Sequence, residues 1–230
     1  MLTESTLSSE KEASGLMVKE IDDRLKRYVE DKVIPRYASF DLAHREDHAR
    51  SVISAALEIS EHYDVDVDMV YAAAAFHDTG LVEGRETHHV ASGKIIREDP
   101  FLAGMFTPDQ VETIAQAAED HRASNGSGPR SIYGRIIAEA DRDIIPMKIL
   151  RRTVQFGFEH YPELDKEGHW KRFLEHMHEK YDYGGYLKLF IPESKNADRL
   201  EELRSIIHDL PRLREIFDKI FIEETNQIKP

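Results

Sequence analysis

Histidine and aspartate stand side by side in the stretch FHDTGL, where His77 and Asp78 follow an apolar run that contains four alanines. Two titratable groups at such a place are costly to bury unless a partner satisfies them. A second His-Asp pair, His208 and Asp209 in IIHDLP, also follows apolar residues. The dipeptide alone is therefore weak, and its chemistry has to be inferred from the residues that accompany it.

Other histidines and aspartates share the apolar faces of predicted helices. His48 lies four residues before Val52, and His121 lies three after Ala118, so both point where the apolar stripe points. A single histidine on such a face is more often a hydrogen-bonded core residue than a ligand. A whole set is harder to bury with separate partners, and this set comprises His48, His77, Asp78, His89, His121 and Asp141. We therefore predict one or two divalent ions of the kinds that accept imidazole and carboxylate ligands, namely Mn, Fe, Co, Ni, Zn or Mg.

Two positions in this set have a neighbouring alternative. His44 lies four residues before His48, and His88 adjoins His89. We prefer His48 for the sequence that follows it and His89 for its spacing to Gly93. The choice between His44 and His48 stays open at this point.

Histidines also occur in the C-terminal third, among charged residues. We interpret one group of them as a solvated helix face, which comprises His169, His176 and His178. The pair His208–Asp209 is followed closely by Pro211, so we interpret it as a helix end.

Helical periodicity dominates the chain, and no alternating pattern is long enough to predict a sheet. The sequence predicts an all-α protein, a single helical bundle of about eight to ten helices with the metal site in its core. Residues 1–17 are expected to form a loose N-terminal lead-in. Residues 18–230 are expected to form one domain, with a motif core at 40–145 and C-terminal helices at 146–230.

Local signals predict where several helices begin and end. Asp66 or Asp68 is available to cap the helix DMVYAAAAF, and Gly80 to terminate it. Thr87 is a predicted cap of the helix that contains HHVASG. The stretch TPDQ at 107–110 has the form of a capping box.

Composition narrows the classes of function. The formal net charge of −13 argues against binding to extended nucleic acid, which requires a basic surface, but it allows a small anion in a local basic pocket. Without cysteine there is no disulfide and no thiolate metal site. The polar N-terminus has no apolar leader segment and no run is long enough to span a membrane, so we expect a cytoplasmic protein without a membrane partner. The oligomeric state stays open.

The order of these motifs resembles the HD-domain metal-dependent phosphohydrolase superfamily. The resemblance covers roughly residues 40 to 145 and consists of ordered short elements: His48 in HARSV, His77 and Asp78 in FHDTGL, His89 in HVASG, His121 in IAQAAEDH and Asp141 in EADRD. Each element alone is weak, and their combination is specific. The resemblance implies an all-α core of the HD type.

The resemblance also implies roles for these residues. One metal ion would be held by His48, His77, Asp78 and Asp141, and Asp78 would also orient the attacking water. His89 and His121 would face the substrate phosphate or assist proton transfer. The nearest cations in sequence that could bind the phosphate are Arg50, Lys94, Arg122 and Arg142. The implied activity is hydrolysis of a small phosphorylated substrate, with a nucleotide as the first candidate.

Two alternatives remain. In the first, His89 and His121 bind a second ion that Asp78 bridges to the first, and related proteins with two iron ions cleave small organic substrates with oxygen. In the second, the chain is a metal-stabilised binding or signalling module without catalysis. We rank it last because the motif residues are intact. The sequence does not decide the substrate, the metal, or the number of ions.

Overall fold

The computed structural model describes residues 20–40, 46–122 and 128–228. These residues form eleven α-helices and no strand, which confirms the all-α fold. The helices are α1 (Asp23–Tyr28), α2 (Glu46–Ser60), α3 (Val67–Phe76), α4 (His88–Glu98), α5 (Pro100–Met105), α6 (Pro108–Asp120), α7 (Ile132–Asp141), α8 (Pro146–His160), α9 (Lys166–Tyr181), α10 (Asn196–His208) and α11 (Leu210–Ile228). Short π and 3-10 turns at Val29–Val33, Ile34–Ser39 and Thr79–Glu83 complete them.

The alanine-rich helix α3 lies at the centre of the N-terminal half. The side chains from Ala72 to Ala75 are fully buried, and α3 packs against α2, α6 and α7. Alanine carries no bulk beyond Cβ, so the neighbouring helices can approach the α3 backbone closely. This close packing brings the ends of the surrounding helices near the C-terminal end of α3.

A second hydrophobic cluster holds the C-terminal helices together. Helices α8 to α11 bury Leu150, Phe173, Leu203 and Phe217 against one another. The first cluster, in contrast, draws almost entirely on residues from α1 to α7. The prediction that residues 18–230 form one domain stays a prediction, and the lead-in at 1–17 lies outside the described residues.

A buried carboxylate joins the two clusters. Glu139 on α7 accepts hydrogen bonds from the Phe190 amide (2.9 Å), the Ser194 hydroxyl (2.5 Å) and the Asn196 amide group (3.2 Å). The side chain has no exposed surface, so these donors compensate its loss of hydration. The segment that precedes α10 is thereby anchored to the helix that ends in Asp141.

Most of the predicted helix starts are confirmed. Asp66 caps α3 by accepting from the amides of Asp68 and Met69, and Thr107 forms the capping box with Gln110. Thr87 precedes α4 as predicted, but its side chain makes no capping hydrogen bond.

Gly80 has a different role from the predicted one. Helix α3 ends at Phe76, and Gly80 lies in the following 3-10 turn rather than at the helix end. A Cβ atom at Gly80 would lie 2.1 Å from the carbonyl oxygen of His88 and 2.4 Å from the Ser92 nitrogen. Glycine is therefore required here because the turn presses directly against the backbone of α4.

None of the described helices is both long and apolar enough to cross a membrane.

Candidate metal centre

His77 and Asp78 follow directly on the last residue of α3. His77 keeps helical backbone angles, and both side chains are buried, with 0% and 2% of their surface exposed. The Nδ1–H of His77 donates to the Ala74 carbonyl at 2.8 Å, as the helical position requires. The apolar run before the pair therefore places both side chains inside the molecule.

Four other side chains reach the same place from the ends of four different helices. They are His48 in the first turn of α2, His88 at the start of α4, His121 just after α6, and Asp141 at the end of α7. Each helix end contributes one polar side chain, so no helix has to bury a charged group in its middle.

One half of the centre forms around Oδ2 of Asp78. The Nε2 atom of His48 lies 3.6 Å from this oxygen, and Nε2 of His77 lies 3.3 Å from it. Oδ1 of Asp141 lies 3.3 Å from His48 Nε2 and 3.8 Å from His77 Nε2. The structure thus brings together all four residues predicted for the first metal ion.

The other half forms around Oδ1 of Asp78. The Nε2 atoms of His88 and His121 each lie 3.3 Å from this oxygen and 3.1 Å from each other. The ligand atoms within each half lie close enough together for a metal ion, in the groups His48–His77–Asp78 and Asp78–His88–His121. Asp78 belongs to both groups because its two oxygens face opposite ways.

The geometry favours His88 over His89, the histidine preferred from the sequence. His88 faces Asp78, whereas the buried Nδ1 atom of His89 has no hydrogen-bond partner within the described parts of the chain. Consecutive residues of a helix point about 100° apart, so only one of the two can face the centre. The pattern contained a signal for His88, because it shares its face with the small buried residues Ala91 and Ser92.

The imidazole rings are held by backbone carbonyls in a way that suits metal binding. Three Nδ1–H groups donate to carbonyl oxygens: His77 to Ala74 (2.8 Å), His88 to Arg85 (2.8 Å) and His121 to Ala118 (2.5 Å). A carbonyl only accepts, so the proton is assigned to Nδ1 and the neutral ring presents a lone pair at Nε2. With both rings neutral, the lone pairs of His88 and His121 face each other at 3.1 Å, so either a proton on one Nε2 or a cation between the two rings is required. The residues therefore fit a metal ion.

Residues 45–143 match the family model of the HD domain. This chain contains an HD domain. A search of curated proteins and a search of solved structures found no match. The match supports the resemblance to the HD superfamily of metal-dependent hydrolases, and the matched segment contains every residue of the two metal-binding groups.

The alternative first ligand, His44, lies outside the described residues. His48 is described, and its Nε2 atom lies near the carboxylates of Asp78 and Asp141. The site formed by His48, His77, Asp78, His88, His121 and Asp141 is called the HD centre below.

The charges of the HD centre are strongly coupled. Burial raises the pKa of Asp78, but His77 and hydrogen bonds from His121 and His48 outweigh it and hold this pKa far below its ordinary value. Burial alone would lower the pKa of His48, whereas hydrogen bonds to Asp141 and Asp78 raise it to about 9. The ionised carboxylates of Asp78 and Asp141 are therefore stabilised by positive charge close to them. Protonated histidine rings supply that charge here, and bound cations would supply it in their place.

Tyr37 supports the HD centre from behind. Its buried hydroxyl donates to the Ala75 carbonyl at 2.9 Å and accepts from the Asp78 amide at 3.4 Å. Its ring also lies 6.4 Å from the ring of His77. The sequence pattern did not reveal Tyr37, because it lies about forty positions before the pair.

The four cations that the sequence predicts to bind phosphate make different contacts in the structure. The guanidinium of Arg50 donates to both oxygens of Glu30, at 2.7 Å each, and Lys94 is exposed on α4. Arg122 donates to the Glu86 carbonyl. Their role in phosphate binding stays a prediction.

Arg142, the fourth of them, is buried next to Asp141. Its guanidinium donates to the Ala138 carbonyl and lies 4.9 Å from the centre of the Phe190 ring. It is therefore held at the junction of the two hydrophobic clusters.

The C-terminal histidines do not share one environment. His169 is buried, with 3% of its surface exposed, so the solvated-face interpretation is wrong for it. Burial lowers the pKa of His176 to about 4. His178 is exposed as predicted and binds Asp182 at 2.6 Å, and the same carboxylate binds His208 at 2.7 Å. The second His-Asp pair does end a helix, since α10 ends at His208.

Proposed function

We propose that this protein is a metal-dependent phosphohydrolase that acts on a small phosphorylated molecule, with a nucleotide as the first candidate. The observation that carries the proposal is the pair of histidine groups that share Asp78, one on each carboxylate oxygen. The matched HD segment supports the hydrolase class. The net charge of −13 favours a small ligand over extended nucleic acid.

The geometry favours two ions over one. His48, His77, Asp78 and Asp141 would hold the first, and Asp78, His88 and His121 would hold the second. When bound, such ions lower the pKa of water and polarise a phosphoryl oxygen. This assignment uses His121 as a ligand instead of the expected proton donor, because its Nε2 faces Asp78.

The chain's own residues would position the reactants. Asp78 lies between the two halves, so its carboxylate would be a ligand in either half and could accept a hydrogen bond from the attacking water. The carbonyl anchors of His77, His88 and His121 keep their rings from turning, which preserves the geometry of the centre through the reaction.

Elemental analysis of protein purified without chelator tests the metal centre. We expect about two ions per chain, and a shift of the thermal midpoint to higher temperature when metal is added to chelator-treated protein. Protein that carries no metal and gains no stability from Mn, Co, Fe or Zn would refute the centre.

A substrate panel tests the reaction. Metal-loaded protein would be assayed with nucleoside mono-, di- and triphosphates, sugar phosphates and cyclic dinucleotides, by release of inorganic phosphate or by separation of the nucleotide products. We expect turnover with at least one class that disappears on chelation and returns with Mn²⁺ or Co²⁺. If none of them turns over while iron-loaded protein consumes oxygen with a small organic substrate, the oxygenase alternative replaces the proposal.

A further inference from the structure

A cavity of about 180 Å³ lies where α2, the end of α7 and the start of α10 meet. This volume is several times the roughly 30 Å³ that one water molecule occupies in the liquid, so a small molecule fits. The residues that line it include Ser51 and Ala55 on α2, Ala140 and Arg142 at the end of α7, and Asn196 on α10. None of the six described residues of the HD centre lines it, so the cavity is a separate place in the molecule.

The buried side chain of Arg142 has an unused hydrogen-bond donor at this cavity. Only 8% of its surface is exposed, its guanidinium donates to the Ala138 carbonyl, and it packs 4.9 Å from the centre of the Phe190 ring. Its Nε atom is also buried but has no hydrogen-bond partner in the parts of the chain that the structure describes. An N–H group without an acceptor is costly to bury, so an acceptor in the cavity beside Arg142 would remove this cost.

The amino end of α10 contributes to the same cavity. Lys195, Asn196 and Arg199 line it, and they span the N-cap and the first turn of this 13-residue helix. Within the described chain, the Lys195 side chain makes no capping hydrogen bond, and the Ser194 hydroxyl accepts from the Asn196 amide at 3.3 Å. The amino end of a helix carries a partial positive charge and attracts anions. Arg142 and α10 therefore favour the same kind of ligand.

The carboxylates of the cavity are already engaged within the protein. The four that line it each accept a hydrogen bond: Glu58 from Lys195, Glu139 from Phe190, Ser194 and Asn196, Asp143 from Lys148, and Glu193 from Tyr63. Their repulsion of an anion is reduced by these donors. A metal cation is disfavoured, because the buried charge of Arg142 would repel it.

We propose that this cavity binds a small oxyanion, a phosphate or carboxylate group, at a site distinct from the HD centre. The oxygens of the ligand would accept hydrogen bonds from Arg142 and from the amino end of α10. The ligand would then contact α7, which ends at Asp141, and α10, which belongs to the second hydrophobic cluster. Binding would strengthen the junction between the two clusters, beside the metal ligands.

Isothermal titration of the metal-loaded protein with inorganic phosphate and with succinate tests the site and distinguishes the two kinds of oxyanion. Ser51 lines the cavity and is exposed, so it can be replaced without disturbing the core. We expect Ser51→Glu to bind the preferred anion at least about 10-fold more weakly than the parent protein, because the new carboxylate repels it. Ser54→Glu is the matched control, since Ser54 is exposed on the same helix but lies outside the cavity lining, and it should bind as the parent does.

Two further variants locate the bound anion. Arg142→Met should also weaken binding at least about 10-fold, because a charge-assisted hydrogen bond is lost. Asp78→Asn should keep the parental affinity although it loses metal, because Asp78 does not line the cavity. Metal content and thermal midpoint are measured for each variant, so that loss of ions or of folding is recognised.

Three results would overturn the inference: no binding of either anion by the parent, equal affinity in the parent and the folded Ser51→Glu and Arg142→Met variants, or loss of all anion binding in folded Asp78→Asn. The last result would assign the anion to the HD centre. None of these measurements uses turnover, so the inference and the proposed hydrolase activity can fail independently.

Discussion

The molecule contains two clusters in which histidines surround one aspartate, and their surroundings differ. Around Asp78, four histidines approach a carboxylate that has 2% of its surface exposed. Around Asp182, the side chains of His178 and His208 are 45% and 53% exposed. The same residue types thus meet in a buried place and at the surface. Burial raises the cost of leaving the polar atoms unsatisfied, so the buried cluster, unlike the exposed one, is suited to hold a cation.

The anchoring of the rings also separates the two clusters. In the HD centre the Nδ1 protons go to backbone carbonyls, and the Nε2 atoms turn inward together. In the C-terminal cluster, His178 contacts Asp182 through Nδ1 itself, at 2.6 Å. His208, from the second His-Asp pair, contacts Asp182 through Nε2. A histidine becomes a well-oriented ligand when its second nitrogen is fixed. In the HD centre the backbone fixes that nitrogen and the ring still faces Asp78, whereas His178 uses Nδ1 to bind Asp182 itself.

The largest effect is expected from removing the shared carboxylate. We expect Asp78→Ala to lose both metal ions and to lower turnover by about 1000-fold or more, because the ions supply several kcal/mol to the transition state. Asp182→Ala, at the surface cluster, should keep its metal and its activity. Elemental analysis and initial rates measure both variants side by side. Asp78→Asn serves as a second variant of nearly the same shape if the alanine variant does not fold.

A retained metal content in both Asp78 variants would contradict the assignment of this residue. Equal losses of activity in the Asp78 and Asp182 variants would contradict the distinction between the two clusters.

Variants of the adjacent residues His88 and His89 test which of the two belongs to the buried cluster. We expect His88→Ala to bind about one ion per chain instead of two, because His88 Nε2 lies 3.3 Å from Asp78 Oδ1. His89→Ala should keep both ions, since His89 does not face the centre. Metal content per chain distinguishes them. Loss of an ion from His89→Ala, with two retained in His88→Ala, would restore the choice made from the sequence.

Removing the Tyr37 hydroxyl, which supports the buried cluster, is expected to have an intermediate effect. Tyr37→Phe removes the hydroxyl that donates to Ala75 and accepts from the Asp78 amide. We expect metal affinity to fall by about 10-fold, as for other groups that orient ligands. The free energy of unfolding should fall by about 1–2 kcal/mol because two buried polar groups lose their partner. Competition with a chelator and denaturant unfolding measure the two quantities. Unchanged values for both would show that Tyr37 only fills space.

The smallest effect is expected at the surface cluster, where it should depend on pH. Burial raises the pKa of Asp182, but hydrogen bonds from His178 and His208 outweigh it and lower the pKa to about 2. A lowered carboxyl pKa stabilises the folded protein above about pH 4, and this contribution is lost as the pH falls towards 2. We expect Asp182→Asn to lower the free energy of unfolding by about 1 kcal/mol at pH 6, a value reduced for the exposure of the histidines.

Denaturant unfolding of the parent and Asp182→Asn at several pH values checks this sign. The difference between the two should shrink from pH 6 to pH 3. A difference that grows on acidification would mean that the histidines, and not the carboxylate, control the cluster.

The helical scaffold was largely predictable because its signals are local. The capping side chains of Asp66 and Thr107 act within one turn of chain, so their patterns survive without tertiary information. Two helices carry weaker signals: α5 has only six residues, and α11 begins at Leu210 beside Pro211. The predicted range of eight to ten helices is therefore exceeded by one in the described residues.

The amino-acid sequence by itself determined the fold class and the helix ends that carry His48, His77, Asp78, His121 and Asp141. Helical periodicity and cap chemistry depend on neighbours within a few residues, so they can be inferred from the chain alone. The tertiary structure decided that His88 faces Asp78 and that the turn at Gly80 packs directly against the backbone of α4. These relations join residues that are distant in the chain, and they depend on how whole helices rotate and pack against one another.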